Sequence, residues 1–250
     1  MRQSIPNSLT ASNLFCGTLA LVAIWQGNLW AVLGLLAAAL LLDFMDGFVA
    51  RMLKVSSPVG KELDSLADAV SFGVVPAFIM ARLIRLSQGQ DFPDDAMWTA
   101  GPDWLWMAGL LIAAFSALRL ARFNLDTRQG DTFFGLPTPS NTMFVLGLWL
   151  LIELKPEWAL VEAINRPIVL VGVSLLFCWL MLANVQLLAL KFSSFGWNGN
   201  EFRYLLLGGA VILLVSLGWV AISFIILYYL ALSLVHNLRE TKNLRGIASH

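Results

Sequence analysis

Leu41–Leu42–Asp43–Phe44–Met45–Asp46–Gly47–Phe48–Val49–Ala50–Arg51, continued by Gly60, Asp64 and Asp68, is the stretch that decides how this chain is read. It has the form D-x-x-D-G-x-x-A-R-x8-G-x-x-x-D-x-x-x-D. An apolar run from Trp30 to Leu42 leads into it, and another from Ala69 to Met80 leads out. Four aspartates therefore stand at the ends of two segments that otherwise read as membrane-embedded. Ionisable side chains in such segments are costly to keep, and they mark a site by default.

If both segments are helical, the spacing aligns the acids. Asp43 and Asp46 are three apart and Asp64 and Asp68 four apart, so each pair shares one helical face. Gly47 and Ala50 lie beside the first face and leave room for a ligand or a neighbouring helix to approach the backbone. Arg51 supplies a planar cation suited to phosphate oxygens. Packing of the two helices would bring four carboxylates into one pocket, and like charges that close cannot all stay ionised without something positive between them. Oxygen ligands with no His or Cys favour hard cations, Mg²⁺, Mn²⁺ or Ca²⁺. The plainer reading makes the acids solvated helix ends, with Arg51 and Lys54 as interfacial anchors. It would serve for two residues but not for the whole constellation.

Composition sets the frame. The chain has 250 residues, 58% hydrophobic and 13% charged, with a mean hydropathy of +0.76. That excess of apolar surface predicts an all-α polytopic membrane protein. Apolar runs predict about eight transmembrane helices, near 9–25, 30–50, 64–85, 104–121, 140–154, 167–190, 202–217 and 219–237. The division between the last two rests on Gly218 and Trp219, and Pro76 is expected to kink the third. The N-terminal run reads as a retained first span and not a cleaved signal. A formal net charge of zero argues against a nucleic-acid partner. The two cysteines, Cys16 and Cys178, fall in apolar segments and read as buried free thiols.

Charge placement predicts orientation. One set of span ends carries Arg2, Arg51, Lys54, Lys61, Arg119, Arg122, Arg128, Lys191, Arg203, Arg239, Lys242 and Arg245; the other carries only Arg82, Arg85, Lys155 and Arg166. The first set, with the aspartates, is expected to face the cytoplasm. The opposite loops hold Asp91, Asp94, Asp95, Asp103, Glu153, Glu157 and Glu162. Near that outer boundary stand Trp25, Trp30, Trp98, Trp104, Trp106 and Trp158, as an aromatic belt would. Two further stretches carry polar residues of interest. In Ile5–Pro6–Asn7–Ser8–Leu9–Thr10–Ala11–Ser12–Asn13, Thr10 and Asn13 either face a ligand pocket or belong to an interfacial helix. In Ser116–Ala117–Leu118–Arg119–Leu120–Ala121–Arg122–Phe123–Asn124, the two arginines share a face. They serve either as positive-inside anchors or as partners for a phosphate or carboxylate.

The aspartate pattern resembles the signature of the CDP-alcohol phosphotransferases in every specified position from Asp43 to Asp68. The resemblance implies two divalent metals, Mg²⁺ or Mn²⁺, with Ca²⁺ able to occupy the site. By it, Asp43, Asp46 and Asp64 are metal ligands, and Asp68 is a ligand and the base that activates the acceptor hydroxyl. Gly47, Ala50, Arg51 and Gly60 fall to nucleotide binding, and the P-N-x-x-T-x-x-N opening adds Thr10 and Asn13. The run from Asp64 through Ser71–Phe72–Gly73 to Pro76, the L-A-R-F-N at 120–124 and the G-L-P-x-P at 135–139 look like the phosphatidylserine synthase branch. Ser140–Asn141 departs from the small alanines of many relatives. That branch implies CDP-diacylglycerol and L-serine as substrates, with Arg119, Arg122 and Asn124 as candidates for recognising serine or the lipid phosphate. It further implies a single membrane domain over 1–250, a six-helix catalytic core at about 5–190 and two extra helices at about 202–237. A homodimer in the inner membrane, with its active site toward the cytoplasm, is expected. Other acceptors, glycerol 3-phosphate or inositol phosphate, share the donor signature. Outside this class, a cation transporter could use the same carboxylates.

Overall fold

The computed structural model describes residues 4–55, 57–91, 104–125, 133–188, 196–197 and 200–247. Arg2, Asp94, Asp95, Trp98, Asp103, Arg128 and Lys191 lie outside the described residues, as do the side chains of Lys242 and Arg245. In chain order the helices are α1 (Ser4–Trp25), α2 (Leu29–Leu53), α3 (Pro58–Ala69), α4 (Val75–Leu86), α5 (Met107–Leu125), α6 (Thr138–Leu154), the short α7 (Ala159–Ile164), α8 (Pro167–Leu182), α9 (Glu201–Leu217) and α10 (Ala221–Ile247). A two-residue antiparallel pair, β1 (Phe133–Phe134) with β2 (Gln186–Leu187), ties the entry to α6 to the exit from α8. Among the described residues, five helical segments are long and apolar enough to cross a bilayer: Ser4–Trp25, Leu29–Leu53, Pro58–Leu86, Met107–Leu125 and Glu201–Arg239, the last interrupted at Gly218. The architecture is that of an all-α polytopic membrane protein.

The expected spans thus recur as helices, with three physical differences. The fifth and sixth are short, 17 and 16 residues in α6 and α8. The last long segment is two helices folded back on each other. Gly218 takes φ +60°, a conformation open mainly to glycine, and beyond that turn Tyr228 donates to the Leu205 carbonyl at 3.0 Å. The third span starts six residues earlier than its apolar run, at Pro58, so Gly60 and Asp64 are helical. Its irregularity falls at a π-turn over Val70–Val74, where the Val75 N–H reaches back to the Val70 carbonyl. Pro76 sits in the first turn of α4, where no helical partner for its nitrogen is required.

Burial follows from helical periodicity. In α1 the buried residues Pro6, Thr10, Asn13, Gly17, Ala20, Ala23 and Ile24 recur every three or four positions. Helix α4 is the central post: its residues from Val75 to Arg85 are buried apart from Phe78. Arg82 and Arg85, at the cation-poor end of the spans, are both buried. Arg82 is buried, donates to the Ile24 carbonyl, pairs with Asp91 at 2.6 Å and lies 5.6 Å from the Trp149 ring centre. Its fork thereby joins α4 to the end of α1 and to α6. Trp25, Trp30 and Trp104 are exposed, as a belt requires, whereas Trp106 is buried in the core.

Close helix approach is decided by small residues. A Cβ at Gly109 in α5 would lie 2.6 Å from the Ala81 nitrogen and 2.9 Å from its Cα, backbone atoms that cannot swing aside. Gly109→Ala is expected to lower stability by about 1–3 kcal/mol. Gly34→Ala, with nothing within 4 Å of the new methyl, should leave it unchanged. Thermal melts of the detergent-solubilised protein check this; equal melting temperatures for the two variants would contradict the packing account.

Candidate metal and nucleotide site

The reversal between α2 and α3 is built by complementary caps. Helix α2 ends on Lys54 in the left-handed region (φ 52°), whose N–H satisfies the Ala50 and Arg51 carbonyls. Helix α3 begins on Ser57, whose hydroxyl accepts from the Gly60 N–H at 2.9 Å, with Pro58 in the first turn. So short a connection returns the chain beside α1, against which both α2 and α3 pack, and their acidic side chains meet.

Asp43, Asp64 and Asp68 each bring one carboxylate oxygen into a group whose members all lie within 4.8 Å of one another. Hard divalent cations take such all-oxygen sets, and the Asp68 Oδ1 atom is buried with no hydrogen-bond partner among the described residues. The donor set fits the implied metal. Asp46 stands apart from this trio. It is buried, and its Oδ2 accepts from the Thr10 hydroxyl at 2.5 Å, which ties α2 to α1.

Beside the carboxylates opens a cleft of about 240 Å³ lined by Pro6, Asn7, Thr10, Asp46, Gly47, Ala50, Val55, Ser57, Gly60, Lys61 and Asp64. Its smallest residues are small for different reasons. A Cβ at Gly60 would fall 2.9 Å from Ser57 Oγ and 3.0 Å from Asn7 Oδ1, inside the polar rim. At Gly47 the nearest atom is Arg51 Nη1, at 3.6 Å, so protein packing does not demand glycine there. The open face at Gly47 is space a ligand can use. The same contact shows the exposed Arg51 side chain folded back along α2 toward Gly47.

The site residues inferred from sequence therefore separate into groups. Asp46, Gly47, Ala50, Gly60, Asp64 and Thr10 line the cleft, with Arg51 at its margin, while Asp43 and Asp68 join Asp64 in the trio. Asn13 does not line the cleft. It sits one turn deeper, fully buried, its carbonyl accepting from Ser71 Oγ at 3.1 Å and its amide atoms without partners among the described residues. Helix α1 is continuous through this stretch and is no surface-lying segment. Arg119 and Arg122 diverge too: Arg119 is buried, near enough to Asp68 to feel its charge, while Arg122 is exposed. Asn124 donates to Ser65 Oγ at 2.7 Å, holding the end of α5 against α3. Asn7, Ser57 and Lys61 were not anticipated as cleft residues. For Lys61 the signal was present, since it stands three residues before Asp64 and seven before Asp68 on one helical face.

The family model described as CDP-alcohol phosphatidyltransferase matches residues 3–184, and the chain belongs to that family. A Helicobacter pylori protein named CDP-diacylglycerol–serine O-phosphatidyltransferase is 31% identical over 205 residues, 81% of this chain and 78% of its own length. Proteins of the same name from Mycobacterium tuberculosis and Bacillus subtilis are 35% identical over 153 residues and 33% over 135. Those matches cover 58% and 54% of this chain, and 49% and 69% of the relatives. The chain thus spans about half the length of the mycobacterial relative.

Thr10→Val tests the bridge between α1 and α2. It leaves the buried Asp46 carboxylate one donor short, a loss expected to cost about 1.5–3 kcal/mol. Thr10→Ser should restore most of it. Unfolding with excess chelator isolates this contact from metal binding, and an unchanged Thr10→Val melt would contradict it.

Proposed function

We propose that this protein transfers the phosphatidyl group of CDP-diacylglycerol to the hydroxyl of L-serine, giving phosphatidylserine and CMP. The observation that carries the reading is the carboxylate trio set against a cleft lined by the Gly47, Ala50 and Gly60 positions of the family motif. The names of the relatives support serine as the acceptor. In the reaction, the serine hydroxyl oxygen bonds the phosphorus that carries diacylglycerol. The bond from that phosphorus to the bridging diphosphate oxygen breaks, and CMP leaves with the electron pair. The serine proton passes to the Asp68 carboxylate and then to water.

Each residue has a task that its position allows. Asp43, Asp64 and Asp68, with Asp46 from the cleft side, would hold two divalent cations, Mg²⁺ or Mn²⁺. Such ions offset the charge that builds on the diphosphate oxygens. Asp46 is kept in place by Thr10. Arg51 offers its fork to the diphosphate, while Gly47 and Ala50 let the nucleotide lie against the α2 backbone and Gly60 keeps the far rim open. The buried Arg119 is the better candidate for the acceptor; Arg122 is exposed and suits a headgroup phosphate at the surface. The acyl chains stay among the lipid-facing helices.

The same proposal assigns a six-helix catalytic core at about 5–190, an added C-terminal pair and assembly as a homodimer. It sets the site on the cytoplasmic side of the inner membrane, supported by Arg51, Lys54, Lys61, Arg119 and Arg122 at the end that holds the cleft. A cation carrier is the weaker reading, because the carboxylates gather toward one end of their helices, beside a cleft, and not at the midplane.

Purified protein given labelled CDP-diacylglycerol, Mn²⁺ and L-serine should release CMP only when serine is present. Glycerol 3-phosphate and inositol phosphate should not replace it. Serine-independent release, or equal use of the other acceptors, would sink the assignment. Asp68→Asn is expected to lower turnover at least about a thousandfold while donor binding stays measurable. Arg51→Lys should weaken donor affinity about tenfold through loss of the fork; binding titrations with the donor decide it.

A further inference from the structure

The first turn of α6 is polar yet buried. Thr138 is 1% exposed, and Asn141 and Thr142 are 0% exposed. Thr142 is satisfied: its hydroxyl lies 3.0 Å from the Phe72 carbonyl in the π-turn and 3.0 Å from the Thr138 carbonyl. Asn141 is not. Neither its side-chain nitrogen nor its oxygen has a partner among the described residues. A buried amide with both ends unpaired is unusual enough to demand a reason, and a bound polar molecule is one.

Its surroundings say what that molecule is. The π-turn is the common reference for depth. Phe72 meets Thr142 on α6, and a Cβ at Gly73 would lie 3.0 Å from the Ser116 side chain on α5. Asn141 is one residue nearer the cleft end than Thr142, Arg119 three nearer than Ser116, and Asp68 four nearer than Phe72. At about 1.5 Å per residue, all three fall within roughly one helical turn of the same depth. They stand on α3, α5 and α6 around the π-turn. Arg119 Nε and Asp68 Oδ1 are, like the Asn141 amide, buried and unpartnered among the described residues.

We infer that Asn141 is the acceptor-specificity residue, its amide oxygen receiving the α-ammonium of an amino-acid alcohol whose carboxylate is held by Arg119 and whose hydroxyl is presented to Asp68. This rests on the proposed phosphatidyl transfer and deepens it. These groups complement such a zwitterion: an acceptor for the hydroxyl proton, a guanidinium with its Nε unpaired for the carboxylate and a neutral amide whose oxygen accepts from the ammonium. A phosphate carries up to two negative charges, which one guanidinium and a neutral amide offset less well than two cations would, so the arrangement favours serine over glycerol 3-phosphate.

The test uses the full-length chain in lipid nanodiscs with CDP-diacylglycerol and Mn²⁺. The acceptors are L-serine, 3-hydroxypropionate, which lacks the ammonium, and ethanolamine, which lacks the carboxylate. The wild type should prefer serine to 3-hydroxypropionate by at least a hundredfold in kcat/KM. Asn141→Leu should raise the KM for serine about tenfold or more, with donor affinity held, and should collapse that preference to within a few-fold. Arg119→Gln should instead collapse the preference over ethanolamine. Asn141→Ser, smaller and still polar, should fall between wild type and Asn141→Leu, and it provides the measurement if the leucine variant does not fold. A wild type that uses 3-hydroxypropionate as well as serine overturns the inference without any variant. So does an Asn141 variant whose kcat falls equally with every acceptor while the preference stands, since that marks a packing role. Absence of any serine-dependent CMP release from the wild type would instead bring down the proposed reaction, and this assignment with it.

Discussion

The constraint behind the rest of this structure is keeping three carboxylates together, with Asp46 beside them, at the edge of an apolar fold. Acidic oxygens within 4.8 Å of one another repel, and burial in a low-dielectric setting makes that repulsion worse. The scaffold must hold them against a force that would splay α2 from α3. The resistance comes from outside the pair. Helix α1 reaches Asp46 through Thr10 and the π-turn through Asn13, while α5 reaches α3 through Asn124 and Ser65. Beyond the π-turn the same helical segment continues as α4, buried along nearly its whole length, and this anchors the far end of α3 in the core. A cation among the oxygens, or a proton shared between them, relieves that repulsion.

Much of this was legible in the sequence because it depends on periodicity. Intervals of three and four place the aspartates on their faces whatever the tertiary detail, and apolar runs mark the spans. What escaped depends on depth and pairing. Arg119 and Arg122 share a helical face, yet only the first lies within the packed part of α5. A one-turn step toward the helix end decides whether an arginine is buried or exposed. Asn13 and Thr10 likewise share a face, and the turn between them moves one residue out of the cleft and into the core. The π-turn left no trace, since one additional residue in a helical ladder changes no compositional pattern, and Pro76 drew attention to a place where α4 is regular. Asp46 was read as an equal member of the quartet, whereas its bond to Thr10 sets it on the cleft side.

The C-terminal pair shows how an added element can matter without touching the motif. Residues 201–247 lie beyond the stretch matched by the family model, 3–184. They pack on α6 itself, where Gly147 lies against Ser223, and also reach the ribbon that closes α6 and α8. Tyr229 donates to the Leu188 carbonyl at 3.2 Å, Ser233 accepts from the Leu188 N–H at 3.1 Å and Asn237 donates to the Gln186 carbonyl at 2.5 Å. These three side chains satisfy backbone groups of β2, a strand too short to be stable alone, and of Leu188 just beyond it. That strand pairs with β1, which leads directly into α6. The hairpin therefore steadies the entry to the helix that carries Asn141.

Two supports with different origins follow from this arrangement. The donor side of the site is made by α1, α2 and α3, elements joined by short capped turns and cross-braced by direct hydrogen bonds. The acceptor side is made where α5 and α6 meet the π-turn. Its two key side chains are anchored through neighbours, Ser116 against Gly73 and Thr142 against Phe72. On the inferred acceptor role, Asn141 can change without disturbing the caps and bridges that hold the carboxylates. A fold divided in this way can keep one donor chemistry while its acceptor changes, because the residues that discriminate among alcohols bear none of the strain of holding like charges together.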